Sequence, residues 1–234
     1  MKVCSLLPLA LVCVSAAADS PGVFPDTIVE NYCVASRNQD EALKAASMDV
    51  EISGSLPKLK KHGKLHALRR ISSLGRITYE MLRFEGDNTV KKEVIARYLT
   101  AESEAQHDAS VAVTPQNYKF KYKGQSQLDG RDVHMFQVSP KQKRQGLFKG
   151  EIWIDAATYL RVQESGYLVK SPSLLIRKIA FVRKYEIRDG ISVPRQVQSV
   201  TDTWLVGKAE LTVDYTNFSI DGRKQGVAGD TEGQ

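Results

Sequence analysis

Beyond Pro115 the chain switches to an apolar-polar period of two and keeps it, in runs separated by tight turns, from Tyr118 to Ile220. Little else in the sequence constrains the fold as strongly. Tyr118, Phe120 and Tyr122 share one face while Lys119, Lys121 and Lys123 share the other, the pattern of a half-buried strand with a basic outer side. Asp129-Gly130 predicts a primed hairpin turn, because glycine tolerates the positive φ that strand twist demands there. Val133, Met135, Phe136 and Val138 supply the partner strand. Runs 151–155 and 159–164 pair around Ala156-Ala157-Thr158, runs 174–188 and 191–204 pair around Asp189-Gly190, and 208–220 follows Val206-Gly207. Turns this short force neighbouring strands to be antiparallel.

The first half mixes periods. Pro25-Asp26-Thr27 with Glu30 predicts a helix start, Thr27 as N-cap and Glu30 at the capping-box position. Ile28, Val29, Tyr32, Cys33, Leu43 and Ala46 then recur at helical spacing, to about Ser47. Runs 49–56, 64–73 and 76–85 read as three antiparallel strands. Asp87-Asn88-Thr89 offers a second N-cap before Val90, Val94, Ile95, Tyr98 and Leu99, and the polar run 101–108 ends that helix. The sum is an α+β fold: a large curved antiparallel sheet of about ten strands, a half-barrel, with two helices covering its concave face. Such a sheet can leave a cavity under its helices. The candidates to line it are Met81, Phe84, Tyr98, Phe120, Tyr122, Phe136, Trp153 and Phe181, from a pool that also holds Tyr118 and Tyr185.

Lys2, the apolar run 3–14 and Ser15-Ala16-Ala17-Ala18 form a secretory signal, with cleavage expected after Ala18. The apolar run is shorter than the roughly 20 residues a membrane span needs. Residues 19–220 are expected to form one domain and the Gly-rich polar stretch 221–234 a flexible tail. A lipid anchor is disfavoured, since Cys13 follows Val12 and Cys4 comes too early. Of the 3 cysteines only Cys33 then remains, so burial rather than a disulfide must hold the domain together. Losing Lys2 lowers the formal net charge of +6 by one. That mild basicity is densest at Lys58, Lys60, Lys61 and Lys64, which suit anionic lipid headgroups. An exported chain meets those rather than nucleic acid.

Groups that do chemistry are scarce. His62 and His66 are split by Gly63, which opposes the helix that would aim both at one metal, and with His107 and His134 they read as surface histidines. Ser173 and Cys33 lack any motif that would activate a nucleophile, and Cys33 reads as a small buried hydrophobe on the first helix. A carboxylate pair for glycosidic chemistry would have to come from Glu151, Asp155 or Glu164, and strand alternation makes Glu151 and Asp155 same-side rim residues. The expectation is a protein that is no enzyme and holds no cofactor or metal.

Gly146-Leu-Phe-Lys-Gly-Glu-Ile-Trp-Ile-Asp155, followed by Tyr159-Leu-Arg-Val162 and by a strand carrying Pro194 after Asp189-Gly190, resembles the superfamily of LolA, the periplasmic outer-membrane lipoprotein carrier, and its relatives LolB and the RseB sensor. The order helix, three strands, helix, meander is similar as well, over about residues 24–220. The chain is identified as a divergent member. The resemblance implies a periplasmic, non-enzymatic binding or carrier protein for an acylated or apolar ligand such as a lipoprotein or lipid, with a membrane-associated protein as partner. The alternative it implies is an envelope-stress sensor or protein-interaction module of the same fold without lipid transport. The carrier latches its helices with an Arg near a strand start. Arg69, Arg70 and Arg76 occupy the comparable region, and no motif chooses among them.

Overall fold

The computed structural model describes residues 24–104 and 110–220. The expected signal, the tail and His107 lie outside them. Strands β1 (Ala46–Leu56), β2 (Lys61–Ile71), β3 (Ile77–Gly86), β4 (Tyr118–Leu128), β5 (Arg131–Pro140), β6 (Phe148–Asp155), β7 (Arg161–Leu168), β8 (Ile176–Arg188), β9 (Ile191–Thr203) and β10 (Gly207–Ile220) form one open antiparallel sheet. Its order is β3-β2-β1-β10-β9-β8-β7-β6-β5-β4. Every hairpin neighbour in sequence is a neighbour in space. The exceptions are the crossing from edge strand β3 to edge strand β4 and the seam where β10 returns to β1. The expected α+β class and the helix, three strands, helix, meander order are both what the structure has.

The expected turns form as their chemistry requires. Asp129 and Gly130 have φ of 49° and 78°, and Asp189 and Gly190 have 50° and 74°, the doubly positive pattern of the primed hairpin.

Helix α1 spans Pro25–Ala42. Thr27 is not its cap: the helix starts two residues earlier, with Phe24 at the N-cap and no side-chain cap bond. Proline at the first helical position explains this, since it brings a preset φ and has no amide to satisfy. Nor does α1 reach Ser47. Ala46 and Ser47 pair with Ile220 and Ser219 instead, the latter pair 172 residues apart, a partner that helical spacing could not reveal.

The second helical run begins at Asn88–Val90, passes through a π-turn at Lys91–Ile95 and continues as Ala96–Glu104; residues 88–104 are called α2 below. Its cap is the expected one, the Asp87 carboxylate accepting from the Thr89 amide at 2.7 Å. Helix α2 settles on β1 where Gly54 leaves room: a Cβ there would lie 2.9 Å from a Val90 methyl.

The two helices bury separate cores on the same face. Val90, Val94 and Ile95 of α2 pack on Met48, Val50, Ile52, Leu65 and Val213. Ile28, Val29 and Tyr32 of α1 pack on Tyr118, Phe136, Ile152, Ile154 and Phe181. Each fully buried side chain of this size contributes roughly 1.5–3 kcal/mol. One register row shows how the cores meet. Crossing all ten strands, it runs Phe84, Leu65, Ile52, Val213, Val197, Arg183, Glu164, Ile152, Phe136, Tyr122. The row is apolar or aromatic from both edges inward, and its centre is an ion pair.

Candidate functional site

Glu164 on β7 stands directly opposite Arg183 on β8. Its carboxylate accepts from Arg183 Nη1 at 2.8 Å, from Arg161 Nη1 at 3.0 Å and from the Tyr185 hydroxyl at 3.1 Å. Only 1% of Glu164 is exposed. Burial alone would raise its pKa, but the two guanidinium groups and the hydrogen bonds overcome that and hold it at about 2. A carboxylate held so low is ionised at neutral pH and cannot act there as a general acid.

One carboxylate bonds two guanidinium groups, and the charge of Asp40 on α1 acts on Arg161 as well. Arg161 lies over the Tyr185 ring at 4.6 Å and Arg183 over Phe181 at 4.5 Å, which fixes both cations against aromatic faces. The arginines stay wet, with side chains 32% and 43% exposed, although they belong to the helix-covered face. Water therefore reaches the floor of the sheet between the helices. Tyr32 of α1 is near enough to Arg161 and Glu164, and Tyr98 of α2 to Arg183, for their charges to act on one another. The result is a crevice with a charged floor, aromatic walls and an apolar core at each flank.

A second polar group closes the α2 side. Arg69, buried on β2, donates from Nη2 and Nε to Glu102 of α2 at 3.0 and 3.2 Å, and Tyr79 on β3 donates to the same carboxylate. Burial opposes the charge on Arg69, and Glu102 restores it. The Tyr98 and Tyr215 hydroxyls meet at 3.0 Å. Of the three arginines left open by the sequence, Arg69 is the one that ties the sheet to this helix.

The residues expected to line a cavity are dispersed. Phe84 and Tyr98 pack against the α2 core, Phe120, Tyr122, Phe136 and Phe181 in or against the α1 core. Only Tyr98 and Phe181 border the crevice. Trp153 alternates with the fully buried Ile152 and Ile154 and so points to the opposite face, while Met81 is exposed on edge strand β3. Of the headgroup lysines, Lys58 and Lys60 occupy the loop. Lys61 and Lys64 belong to β2 and face Asp87 at 3.3 Å and Glu51 at 2.5 Å.

Two surface readings need correction. His134 is buried rather than solvated, its Nδ1 3.3 Å from the Tyr122 hydroxyl, and burial lowers its pKa. Asp155 is buried and organises the β6–β7 turn, accepting from the Ala157 and Thr158 amides and the Thr158 hydroxyl. Glu164, the third carboxylate of the set with Glu151 and Asp155, is the buried residue described above. Cys33 is half-buried on α1 against its core. Ser173 spends its oxygen on the Leu175 amide.

Recesses of about 710 and 380 Å³ open elsewhere on the surface. The first is lined by Ser53, Ser55, His62, Lys64, His66 and Glu210 among others, the second by Arg131, Gln163, Lys184 and Arg195 with Asp129 and Glu186. Both are polar.

No protein-family model matches the chain, and no curated protein does. Solved structures do. A DUF1329 family protein from Desulfovibrio piger is 13% identical, over 85% of this chain and 95% of its own, with a TM-score of 0.43. A LolA superfamily protein from Nitrosomonas europaea is 11% identical, over 87% and 96%, at 0.37. MucB from Pseudomonas aeruginosa, solved with MucA, is 11% identical, over 82% and 100%, at 0.30. At that distance the likenesses decide nothing about ligand or partner. Among the described residues no helix is long and apolar enough to cross a membrane.

Proposed function

We propose that the chain is a periplasmic, non-enzymatic binding protein for an acylated molecule, whose apolar part enters between the sheet and the helices while an anionic or polar end meets Arg183 and Arg161. The observation that carries this reading is the pair of part-exposed arginines between two apolar cores. Arg183 has 43% of its side chain accessible on a face otherwise closed by helices. Tyr98 and Phe181 are the expected cavity residues that would touch the ligand first, and the Arg69–Glu102 contact would hold α2 over it. The export signal read in residues 1–18 supplies the compartment.

The test is mass spectrometry of organic extracts of the purified protein, with uptake of a fluorescent fatty-acyl probe. An acylated molecule in the extract is expected, and probe affinity in Arg183→Met lower by roughly tenfold, as for a lost charge-assisted hydrogen bond. Empty extracts together with no probe uptake would sink the reading.

One observation favours a second reading, a protein-interaction module. Edge strand β3 leaves Met81 and Leu82 exposed, and an open edge can pair with another chain. A crosslinked partner attached at β3, with no lipid bound, would choose it.

A further inference from the structure

Four connections crowd one end of the sheet: 57–60 between β1 and β2, 141–147 between β5 and β6, 169–175 between β7 and β8, and 204–206 between β9 and β10. They touch. The Trp204 amide donates to the Leu175 carbonyl at 3.0 Å, the Val169 amide donates to Leu147 at 3.0 Å, and the Lys58 side chain lies against Gly207. Large apolar side chains project from three of them, Leu174 at 97% exposure, Leu205 at 69% and Trp204 at 66%, with Leu175 and Leu59 also exposed. Burying such side chains in the core was open to the fold, which has two apolar cores close by. Instead they stand in water.

Charge is sorted in the same place. The four connections carry Lys58, Lys60, Lys141, Lys143, Arg144 and Lys170 and not one Asp or Glu. Lys141 donates to the Pro115 carbonyl and Arg144 to the Ser110 carbonyl, acceptors that carry no formal charge. Of the carboxylates bordering this end, Asp87 faces Lys61 and Asp202 faces Arg177, while Glu210 accepts from the Ser55 hydroxyl. Arg177 also lies over the Trp204 ring at 4.6 Å and Lys178 over Tyr167 at 4.9 Å. An indole beside a cation, with exposed leucines on the same connections, is the set of groups that a bilayer surface accepts: headgroup charge, an interfacial aromatic belt and hydrocarbon.

We infer that this end of the sheet docks on an anionic phospholipid bilayer, Leu174, Leu175, Trp204 and Leu205 entering the interface and the lysine collar lying on the headgroups. The apolar points come from separate connections and form no groove, so they fit a fluid surface better than a shaped protein partner. Docking here is independent of what the interhelical crevice binds.

The experiment uses the chain from Asp19 onward, which keeps the whole sheet and both helices. It is sedimented with vesicles of phosphatidylcholine alone and of phosphatidylcholine with phosphatidylglycerol. Binding is expected only to the second, weakening with salt, with a blue shift of tryptophan emission that Trp204→Phe lacks. Leu174→Ser with Leu175→Ser lowers partitioning roughly tenfold or more, and Lys58→Gln and Lys170→Gln each by roughly fivefold, all with unchanged circular dichroism. The inference is overturned if the chain stays in the supernatant with anionic vesicles, if the leucine and lysine variants bind as the parent does, or if Trp204 shifts only through self-association without vesicles.

Discussion

Glu164 leaves water for a site where two guanidinium groups and a phenol more than compensate for the loss, and that balance has a sign in pH. Its folded pKa of about 2 lies below the ordinary 4.5. A depressed carboxylate contributes stability that is complete above the ordinary value and is lost as pH falls through the folded one. The window is thus from about pH 4.5 down to 2, and the loss across it about 3 kcal/mol. Urea unfolding of the parent should show that fall. Glu164→Gln should be destabilised by about 3 kcal/mol at neutral pH, because two cations lose their counter-charge, and should lack this part of the acid dependence. Equal acid slopes in the two proteins would refute the assignment. The residue was half legible. Leu160, Val162 and Glu164 alternate on one face and Phe181, Arg183 and Tyr185 suggest the same on the next strand, so opposite charges at inward positions of a hairpin were in the sequence. A lone Glu on a strand reads as solvent-facing until its partner strand and register are known.

Helix α2 is held at both ends by contacts with different physics. Near its start, van der Waals contact with β1 depends on the missing side chain of Gly54; near its end, Arg69 and Tyr79 grip Glu102. Replacing Arg69 by Met keeps the side chain long and apolar and removes the grip, leaving a part-buried carboxylate with two donors fewer. Hydrogen exchange in 96–104 should then quicken by roughly tenfold or more, while β5 amides stay as slow as before. Equal acceleration in β5 would mean that Arg69 supports the whole fold rather than this helix. Gly54→Val should loosen the other end at a cost of about 1–3 kcal/mol through overpacking, seen as faster exchange at 88–95 and a lower unfolding midpoint. Element boundaries were legible where the chemistry is local, as at the Asp87 cap and the Asp-Gly turns. They were not legible where a distant strand decides, as at Ala46, whose helical spacing lost to pairing with Ile220.

Across the whole molecule, strands β4 to β9 pair only with sequence neighbours, whereas β10 must return to β1 before the α2 core can close. Local pairs require little loop closure and can form early, while the seam joins residues at opposite ends of the described chain. Two fully buried valines separate these cases. Val138 on β5 faces Phe120 and Gly150 within the meander, and Val213 on β10 faces Ile52 and Val197 across the seam. Truncating either to Ala should cost about 2 kcal/mol. The cost should appear differently in stopped-flow kinetics: Val138→Ala slows folding, whereas Val213→Ala leaves folding nearly unchanged and speeds unfolding. The reverse partition would place the β1–β10 seam in the folding nucleus and make closure of the α2 core the first event. If the expected order holds, the α2 half forms last on a finished meander and is the half that can open with the rest intact. The crevice between the helices would then admit a ligand without unfolding the sheet.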